Sequence, residues 1–215
     1  MLQLRPSGRC GAPLAIAVTC RDDAAAADRV VFVAAGLPLR SGEALTFDSE
    51  FDAVFSNAAL HWLPDHAALF PRLAGTLARG GVLALQMPAQ HDAPSHRLLR
   101  EVAATLFPDR FDWSGWRAAV GDPADYEAML APLGRTEVWT TTYDQRLAPV
   151  PEGHPVRHFT ASTAMRPIVE RLDDAERARF VAAYDRALAT PYPPEGDGTV
   201  LFPFRRLFAI LRRPD

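Results

Sequence analysis

The sequence predicts an α/β fold, in which strands alternate with helices. Two apolar runs, 51–56 and 82–87, have the length and continuity of buried strands. The segment between them carries Phe70, Leu73 and Leu77 at helical spacing. Strand, helix and strand at this spacing predict a βαβ unit with two parallel strands and a right-handed crossover.

Composition restricts the class of protein. The chain has 215 residues, of which 48% are hydrophobic and 23% charged, with a formal net charge of −3. This is the size of one globular domain with enough apolar residues for one core. The slightly acidic balance argues against a nucleic-acid partner or an anionic membrane surface. All 23 basic residues are arginine, which excludes lysine Schiff-base chemistry.

Cysteine usage and apolar runs bear on location. Cys10 and Cys20 match no zinc-ligand spacing and are too few for a disulfide framework, so we expect no metal site and a cytoplasmic protein. No apolar stretch reaches the ~18–20 residues that span a bilayer. The amino terminus has a weak resemblance to a signal peptide, because Arg5 and Arg9 precede the apolar run 12–18. That run is short and is interrupted by a proline.

Further elements are predicted in the first 81 residues. The apolar runs 14–19 and 30–33 predict strands, with an alanine-rich helix at 22–29 between them. In the helix before the run 82–87, proline lacks an amide donor, so Pro71 must lie in the first turn or kink the helix. Gly80 and Gly81 are expected to end that helix.

The next helix begins near Pro94 and is expected to bury Leu98, Val102 and Leu106, which recur four residues apart. A shorter helix follows it and ends at Gly134.

The carboxyl-terminal part predicts two strands, 135–145 and 200–211, with a helical layer at 150–195 between them. Asp173 and Glu176 have the spacing of a capping box at the start of one helix in this layer. The buried stripe of that helix is expected to be Phe180, Tyr184 and Leu188.

Candidate ligand contacts follow the strand 51–56. In open α/β sheets, ligands bind outside the carboxyl ends of the parallel strands. The small residues after this strand, Asn57 and Ala58 among them, allow a ligand to approach the backbone, while His61 and Trp62 offer a polar tip and a flat apolar wall. The alternative is that Trp62 anchors the core and His61 is a satisfied hydrogen-bonding residue.

The sequence around these residues resembles a known family. The stretch from Gly42 to Trp62 is similar to the third-to-fourth strand region of S-adenosylmethionine-dependent methyltransferases. The resemblance covers about residues 35–213, and several motifs resemble the trans-aconitate methyltransferases in particular. Those motifs are Asp65-His66, Leu69-Phe70-Pro71-Arg72-Leu73, Gly80 to Pro88, Pro94-Ser95-His96-Arg97-Leu98-Leu99-Arg100, Ala164-Met165-Arg166-Pro167, Tyr192-Pro193-Pro194, Asp197-Gly198 and Leu201 to Phe208.

The resemblance implies the Rossmann-like, three-layer fold of class I methyltransferases, with seven strands. The strands 51–56 and 82–87 would be the fourth and fifth of the sheet, and 135–145 and 200–211 would form its final antiparallel hairpin. Residues 150–195 would be a helical lid inserted before the last strand.

The same resemblance implies S-adenosylmethionine as the cofactor. The backbone at Asn57 and Ala58 would pass its methionine end, and the turn of Ser41, Gly42 and Glu43 would lie beside the adenine. Most relatives carry an acidic residue where this chain has Ser41, so one adenine hydrogen bond is expected to be missing.

The amino-terminal segment departs from the family pattern. In the family, a glycine-rich turn follows the first strand, because only glycine lets the backbone approach the cofactor closely. Here Cys20-Arg21-Asp22-Asp23 follows the first apolar run. Two βα units would also need ~60 residues before the third strand, and about 35 precede it. We therefore expect an atypical or truncated segment at 1–34, an incomplete sheet there, a methyltransferase domain at 35–215, and weak cofactor binding.

Arginines are the candidate ligands for an anionic substrate. A guanidinium holds a carboxylate through two hydrogen bonds, and the family motifs contain Arg166 and Arg206, which we predict to bind substrate with His61 and Trp62. The alternatives are a surface ion pair of Arg166 with acidic neighbours such as Glu170, and Arg206 capping the last strand. No catalytic acid or base is predicted, because a carboxylate nucleophile is already ionised.

Two functions remain open from the sequence. The first is methyl transfer from S-adenosylmethionine to a small-molecule carboxylate such as trans-aconitate, by a cytoplasmic monomer. The second is a non-catalytic remnant of the same fold that lacks the cofactor-binding turn. The glycine-free segment after Cys20 favours the remnant, and the carboxyl-terminal motifs favour the enzyme.

Overall fold

A computed structural model describes residues 15–20, 29–34 and 50–215. It confirms the predicted α/β class. Its strands are β1 (Ala15–Cys20), β2 (Arg29–Ala34), β3 (Phe51–Asn57), β4 (Leu77–Pro88), β5 (Arg135–Leu147) and β6 (Val200–Arg212). Its α-helices are α1 (His66–Gly75), α2 (Pro94–Leu106), α3 (Pro123–Leu130), α4 (Pro155–Ala161), α5 (Arg166–Val169) and α6 (Asp174–Leu188), with 3₁₀ turns at Leu60–Trp62 and Ala131–Leu133.

The described strands form one sheet of six, in the order β2-β1-β3-β4-β6-β5, where the family resemblance implied seven. β3 and β4 are parallel neighbours, with Val54 opposite Leu83 and Asn57 opposite Gln86. This confirms the predicted βαβ unit, and the two strands present their carboxyl ends at the same edge of the sheet.

The last two strands form the predicted antiparallel hairpin. The ring of Trp139 on β5 stacks on Phe208 of β6, with 5.2 Å between centroids. Nearer the start of β5, Gly134 lies against the backbone of Arg212. Because the contacts run forward along β5 and backward along β6, the strands are antiparallel.

The amino-terminal strands lie close to the predicted runs 14–19 and 30–33 but pair as an antiparallel hairpin. β1 is also antiparallel to β3, with Ile16 opposite Ser56 and Thr19 opposite Ala53. The start of β1 therefore lies beside the carboxyl end of β3, and its own carboxyl end lies at the opposite edge. The helix expected at 22–29 falls outside the described residues except for Arg29, which begins β2.

The predicted role of Gly80 and Gly81 as a helix stop is wrong. α1 ends at Gly75 and β4 begins at Leu77, so both glycines lie inside a strand. Pairing with β3 shifts between Leu77 and Val82, which makes this stretch a bulge. Gly80 has a φ of +71°, and a Cβ on Gly81 would lie 2.8 Å from the carbonyl oxygen of Ala78. The bulge therefore explains the glycine pair.

For Pro71 the structure excludes the first of the two predicted places, and the predicted buried row of α2 is wrong. Pro71 is the sixth residue of α1 and lies outside its first turn, and the helix continues to Gly75. In α2 the row that is fully buried is Ser95, Leu99 and Ala103. The predicted row is only partly buried against the same core, and it consists of Leu98, Val102 and Leu106. Because a helix completes a turn every 3.6 residues, two adjacent rows of α2 are apolar, and either could face the core.

The chain divides into two compact units. The first contains residues 1–87, 122–139 and 208–215, and the second contains residues 88–121 and 140–207. The predicted division into 1–34 and 35–215 stays a prediction. In the second unit, α2, α4, α5 and α6 enclose one apolar core whose largest members are aromatic: Phe107, Phe111, Phe180, Tyr184, Tyr192, Phe202 and Phe204.

The predicted helical layer at 150–195 contains α4, α5 and α6. At the start of α6, the amide of Glu176 donates to the Asp173 carboxylate at 2.8 Å, and the amide of Asp173 donates to the Glu176 carboxylate at 3.0 Å. This confirms the capping box. The predicted stripe of Phe180, Tyr184 and Leu188 is fully buried, so α6 belongs to the core of the second unit.

Candidate functional site

The carboxyl ends of β3 and β4 are joined by a backbone hydrogen bond. The amide of Ala58 donates to the carbonyl oxygen of Gln86 at 2.9 Å. Ala58 has a φ of 50°, which is uncommon for a residue with a Cβ. The chain therefore turns sharply where β3 ends, at the edge where ligands of open α/β sheets bind.

A buried hydroxyl lies at this edge without a partner in the described part of the chain. Ser56, the residue of β3 before Asn57, is 1% exposed, and its Oγ makes no hydrogen bond there. Leaving a buried polar group unpaired costs about 1–3 kcal/mol. A polar ligand group at the end of β3 would recover that cost.

The 3₁₀ turn Leu60–Trp62 presents the two predicted substrate residues. Leu60 is fully buried and fixes the turn, while Trp62 is 54% exposed, so Trp62 is not a core anchor. The rings of His61 and Trp62 lie 4.8 Å apart. The structure therefore brings these two side chains together on one face.

The imidazole of His61 is partly buried, and its Nδ1 has no hydrogen-bond partner within the residues described. Burial, with a smaller contribution from the charge of His66, lowers the pKa of His61 from 6.5 to about 4. His61 is therefore neutral at pH 7. Within the described part of the chain, the alternative of a histidine whose hydrogen bonds are all made by the protein therefore does not hold at Nδ1.

Sequence reasoning missed the residue that supports this turn. His66 is buried at the start of α1, and its Nδ1 accepts a hydrogen bond from the hydroxyl of Tyr126 at 2.8 Å. Its Nε2 donates to the carbonyl oxygen of Leu60 at 3.0 Å. The motif Asp65-His66 was visible in the sequence, but Tyr126 is sixty residues away along the chain.

The two predicted arginines lie in the second unit. Arg166 donates from Nε to the carboxylate of Glu170 at 2.6 Å, and both side chains are about half exposed, so the ion-pair alternative describes its state here. The guanidinium of Arg206 lies 4.9 Å from the ring centroid of Phe204 and 5.9 Å from that of Tyr143. Their roles toward a substrate stay predictions.

Asn57 lies at the end of β3, beside Gln86 of β4. Ser41, Gly42 and Glu43, the predicted adenine contacts, fall outside the described residues. Cofactor roles for all of these residues also stay predictions.

Two features of the described residues concern membrane insertion and metal binding. None of the helices there is long and apolar enough to cross a membrane. Within the same residues, no group of three or more histidine, cysteine, aspartate or glutamate side chains could hold a metal ion.

Comparison with known proteins shows which enzymes the chain is similar to. Residues 17–85 match the family model described as "Methyltransferase domain". The chain is 45% identical over 166 residues to the trans-aconitate 2-methyltransferase of Methylobacterium nodulans, covering 75% of this chain and 63% of the relative. It is 41% identical over 175 residues to that of Methylobacterium radiotolerans, with the same coverage of each chain.

These matches support an S-adenosylmethionine-dependent methyltransferase. Within that family, its sequence is similar to the trans-aconitate 2-methyltransferases. It spans somewhat less than two thirds of the length of the curated relatives it matches.

Among solved structures, the YcgJ protein of Bacillus subtilis is similar with a TM-score of 0.43 and 11% identity, covering 80% of this chain and 68% of that chain. The similarity to methyltransferases rests on the sequence matches.

Proposed function

We propose that this chain is an S-adenosylmethionine-dependent methyltransferase that acts on a small-molecule carboxylate of the trans-aconitate kind. The observation that supports this most directly is the 45% identity with a trans-aconitate 2-methyltransferase. This similarity does not favour the alternative of a non-catalytic remnant. The proposal includes the cytoplasmic location and the monomeric state expected from the sequence.

The residues at the end of β3 fit the methionine end of such a cofactor. The hydroxyl of Ser56, which has no partner among the residues the structure describes, and the sharp turn at Ala58 lie where the parallel strands end, which is the place for a polar ligand. We assign Asn57 and Ala58 to the methionine end, and Ser41, Gly42 and Glu43 to the adenine. When bound, S-adenosylmethionine supplies an electrophilic methyl group, which a carboxylate oxygen takes with its own electron pair, leaving a thioether and a methyl ester.

The chain's own residues then have to align the acceptor and exclude water, because an ionised carboxylate needs no general base. Trp62 offers a flat apolar wall, and half of it is available to a ligand. His61 is neutral at pH 7 because burial lowers its pKa, so Nδ1 can take part in a hydrogen bond without adding charge. Arg166 would have to exchange its pairing with Glu170 for a substrate carboxylate.

The direct test combines the purified chain with methyl-labelled S-adenosylmethionine and trans-aconitate, at millimolar concentrations of both. We expect label in a methyl ester of the acid, and none when the acid is replaced by its trimethyl ester. A chain that binds both compounds but forms no ester under these conditions would contradict the proposal.

A further inference from the structure

The start of α2 carries a group of polar and basic side chains that the proposed function leaves unused. We define the α2 cluster as Ser95, His96, Arg100, His91 and Trp116, all in the second unit. Ser95, His96 and Arg100 lie in one of the family-like motifs, and their side chains are held by the contacts described next. Apart from Ser95, which is buried, the members are partly exposed and open to a ligand from solvent.

Two phenols fix the backbone at the start of the helix. The amide of Ser95 donates to the hydroxyl of Tyr192 at 3.1 Å, and the carbonyl oxygen of Ser95 accepts from the hydroxyl of Tyr184 at 2.8 Å. The side chain of Ser95 hydrogen-bonds Nδ1 of His96 at 3.0 Å. When the serine donates, the imidazole carries its proton on Nε2, which can then donate to an anion.

Arg100 lies one helical turn after His96 and is held flat. Its guanidinium stacks 3.9 Å from the ring centroid of Trp116, and one N–H group donates to the carbonyl oxygen of His91 at 2.9 Å. No carboxylate of the described residues pairs with it, whereas the neighbouring Arg97 pairs with Glu101 at 2.8 Å. A stacked guanidinium without a carboxylate partner keeps its planar donor groups for a ligand.

The charges around this position are unbalanced toward positive. Burial, followed by the charges of Arg100 and His91, lowers the pKa of His96 to about 4. Burial also lowers the pKa of Arg100, partly offset by Asp92 and then Glu101. Asp92 is largely exposed and pairs with His91, and Glu101 pairs with Arg97.

We propose that the α2 cluster binds one carboxylate group of a small polycarboxylate, with the guanidinium of Arg100 and Nε2 of His96 donating to its oxygens. The inference rests on the proposed function, and it names the contact that selects an acceptor with more than one carboxylate. Trp116 holds the guanidinium in plane, and the phenols of Tyr184 and Tyr192 hold the helix start that carries His96.

The test measures trans-aconitate binding by calorimetric titration to the wild type and to Arg100→Gln, His96→Asn and Arg97→Gln. Arg97→Gln is the matched control, because it removes one positive charge from the same helix at an exposed ion pair. We expect Arg100→Gln to weaken binding ~10- to 100-fold and His96→Asn to weaken it several-fold, with Arg97→Gln within about twofold. Thermal melting of each variant verifies folding, and Arg100→Lys, which keeps the charge but loses the planar fork, should recover only part of the affinity.

Turnover separates this inference from the proposed function. If the wild type methylates trans-aconitate and the KM for the acid is unchanged in Arg100→Gln and His96→Asn, the cluster is not its binding site, although the methyltransferase assignment stands. If the wild type binds trans-aconitate without methylating it and both variants lose binding, the cluster is supported and the proposed reaction fails. A wild type that does not bind trans-aconitate at millimolar concentration overturns the inference.

Discussion

The hydroxyl of Tyr126 on α3 donates a hydrogen bond to Nδ1 of His66 on α1, with 2.8 Å between the atoms. This bond leaves the imidazole proton on Nε2, which donates to the carbonyl oxygen of Leu60. The 3₁₀ turn that presents His61 and Trp62 is therefore fixed by residues that do not themselves lie on its exposed face. Its geometry depends on a contact between two helices far apart in the sequence.

Tyr126→Phe should lower the free energy of unfolding by about 1–3 kcal/mol, because the buried Nδ1 of His66 then loses its donor. Urea denaturation measures this loss. Tyr143→Phe, at an exposed tyrosine on β5, is the control and should change stability by less than about 0.5 kcal/mol. Equal effects of the two substitutions would show that the Tyr126 hydrogen bond does not support the turn.

Trp62→Ala should cost well below the ~3–5 kcal/mol that follows removal of a buried tryptophan, because half of this side chain is exposed. Its main effect is expected on the KM for the carboxylate acceptor. Trp139→Ala is a matched control, since that tryptophan is exposed to a similar extent but stacks on Phe208 of the sheet. A KM that changes equally in both variants would contradict a substrate role for Trp62.

Stability should fall as the pH falls below about 6.5, because burial in the folded state lowers the pKa values of His61 and His96 from the ordinary 6.5 to about 4. Between these pH values the unfolded chain binds more protons than the folded chain, so protonation favours unfolding. Urea midpoints measured across this range should fall less steeply in His61→Asn and His96→Asn. Slopes identical to that of the wild type would show that neither histidine is buried in the neutral form.

Cofactor affinity should be low. β1 runs antiparallel to β3, so its last residue, Cys20, lies at the edge away from Asn57. The sequence after Cys20 contains no glycine before Gly36. The family resemblance implies one acidic residue for the adenine, where this chain has Ser41, and a second acidic residue at the end of the second strand that holds the ribose. Without them, two sets of charge-assisted hydrogen bonds are lost, each worth ~1.5–3 kcal/mol. Together these losses correspond to a ~100- to 10,000-fold higher dissociation constant. Calorimetric titration with S-adenosylmethionine measures it, and tight saturable binding would mean that residues 1–40 build the site in another way.

The sequence predicted the elements whose signals are local. The parallel pair β3 and β4 followed from apolar continuity, and the capping box of α6 followed from the spacing of Asp173 and Glu176. Gly80 was misassigned because a glycine pair is an equally good signal for a helix end and for a β-bulge. The predicted buried face of α2 was wrong by one residue, because both adjacent rows of that helix are apolar.

The support of the candidate site was not predictable in the same way. The partner of His66 is Tyr126, and those of Ser95 are Tyr184 and Tyr192, all of them 60 or more residues away in the chain. No periodicity or motif spacing records such pairs. Only the tertiary fold brings them within hydrogen-bond distance.

The hydrogen bond between Tyr184 and Ser95 has a mechanical consequence for the helical layer, which the family resemblance treats as a lid. Tyr184 is fully buried on α6, and its hydroxyl holds the first turn of α2. Burial raises its pKa, so the phenol remains a donor throughout the physiological range. A displacement of α6 alone would break this bond and pull three buried side chains out of the core. We therefore expect any movement of α6 to carry α2 with it, together with His96 and Arg100.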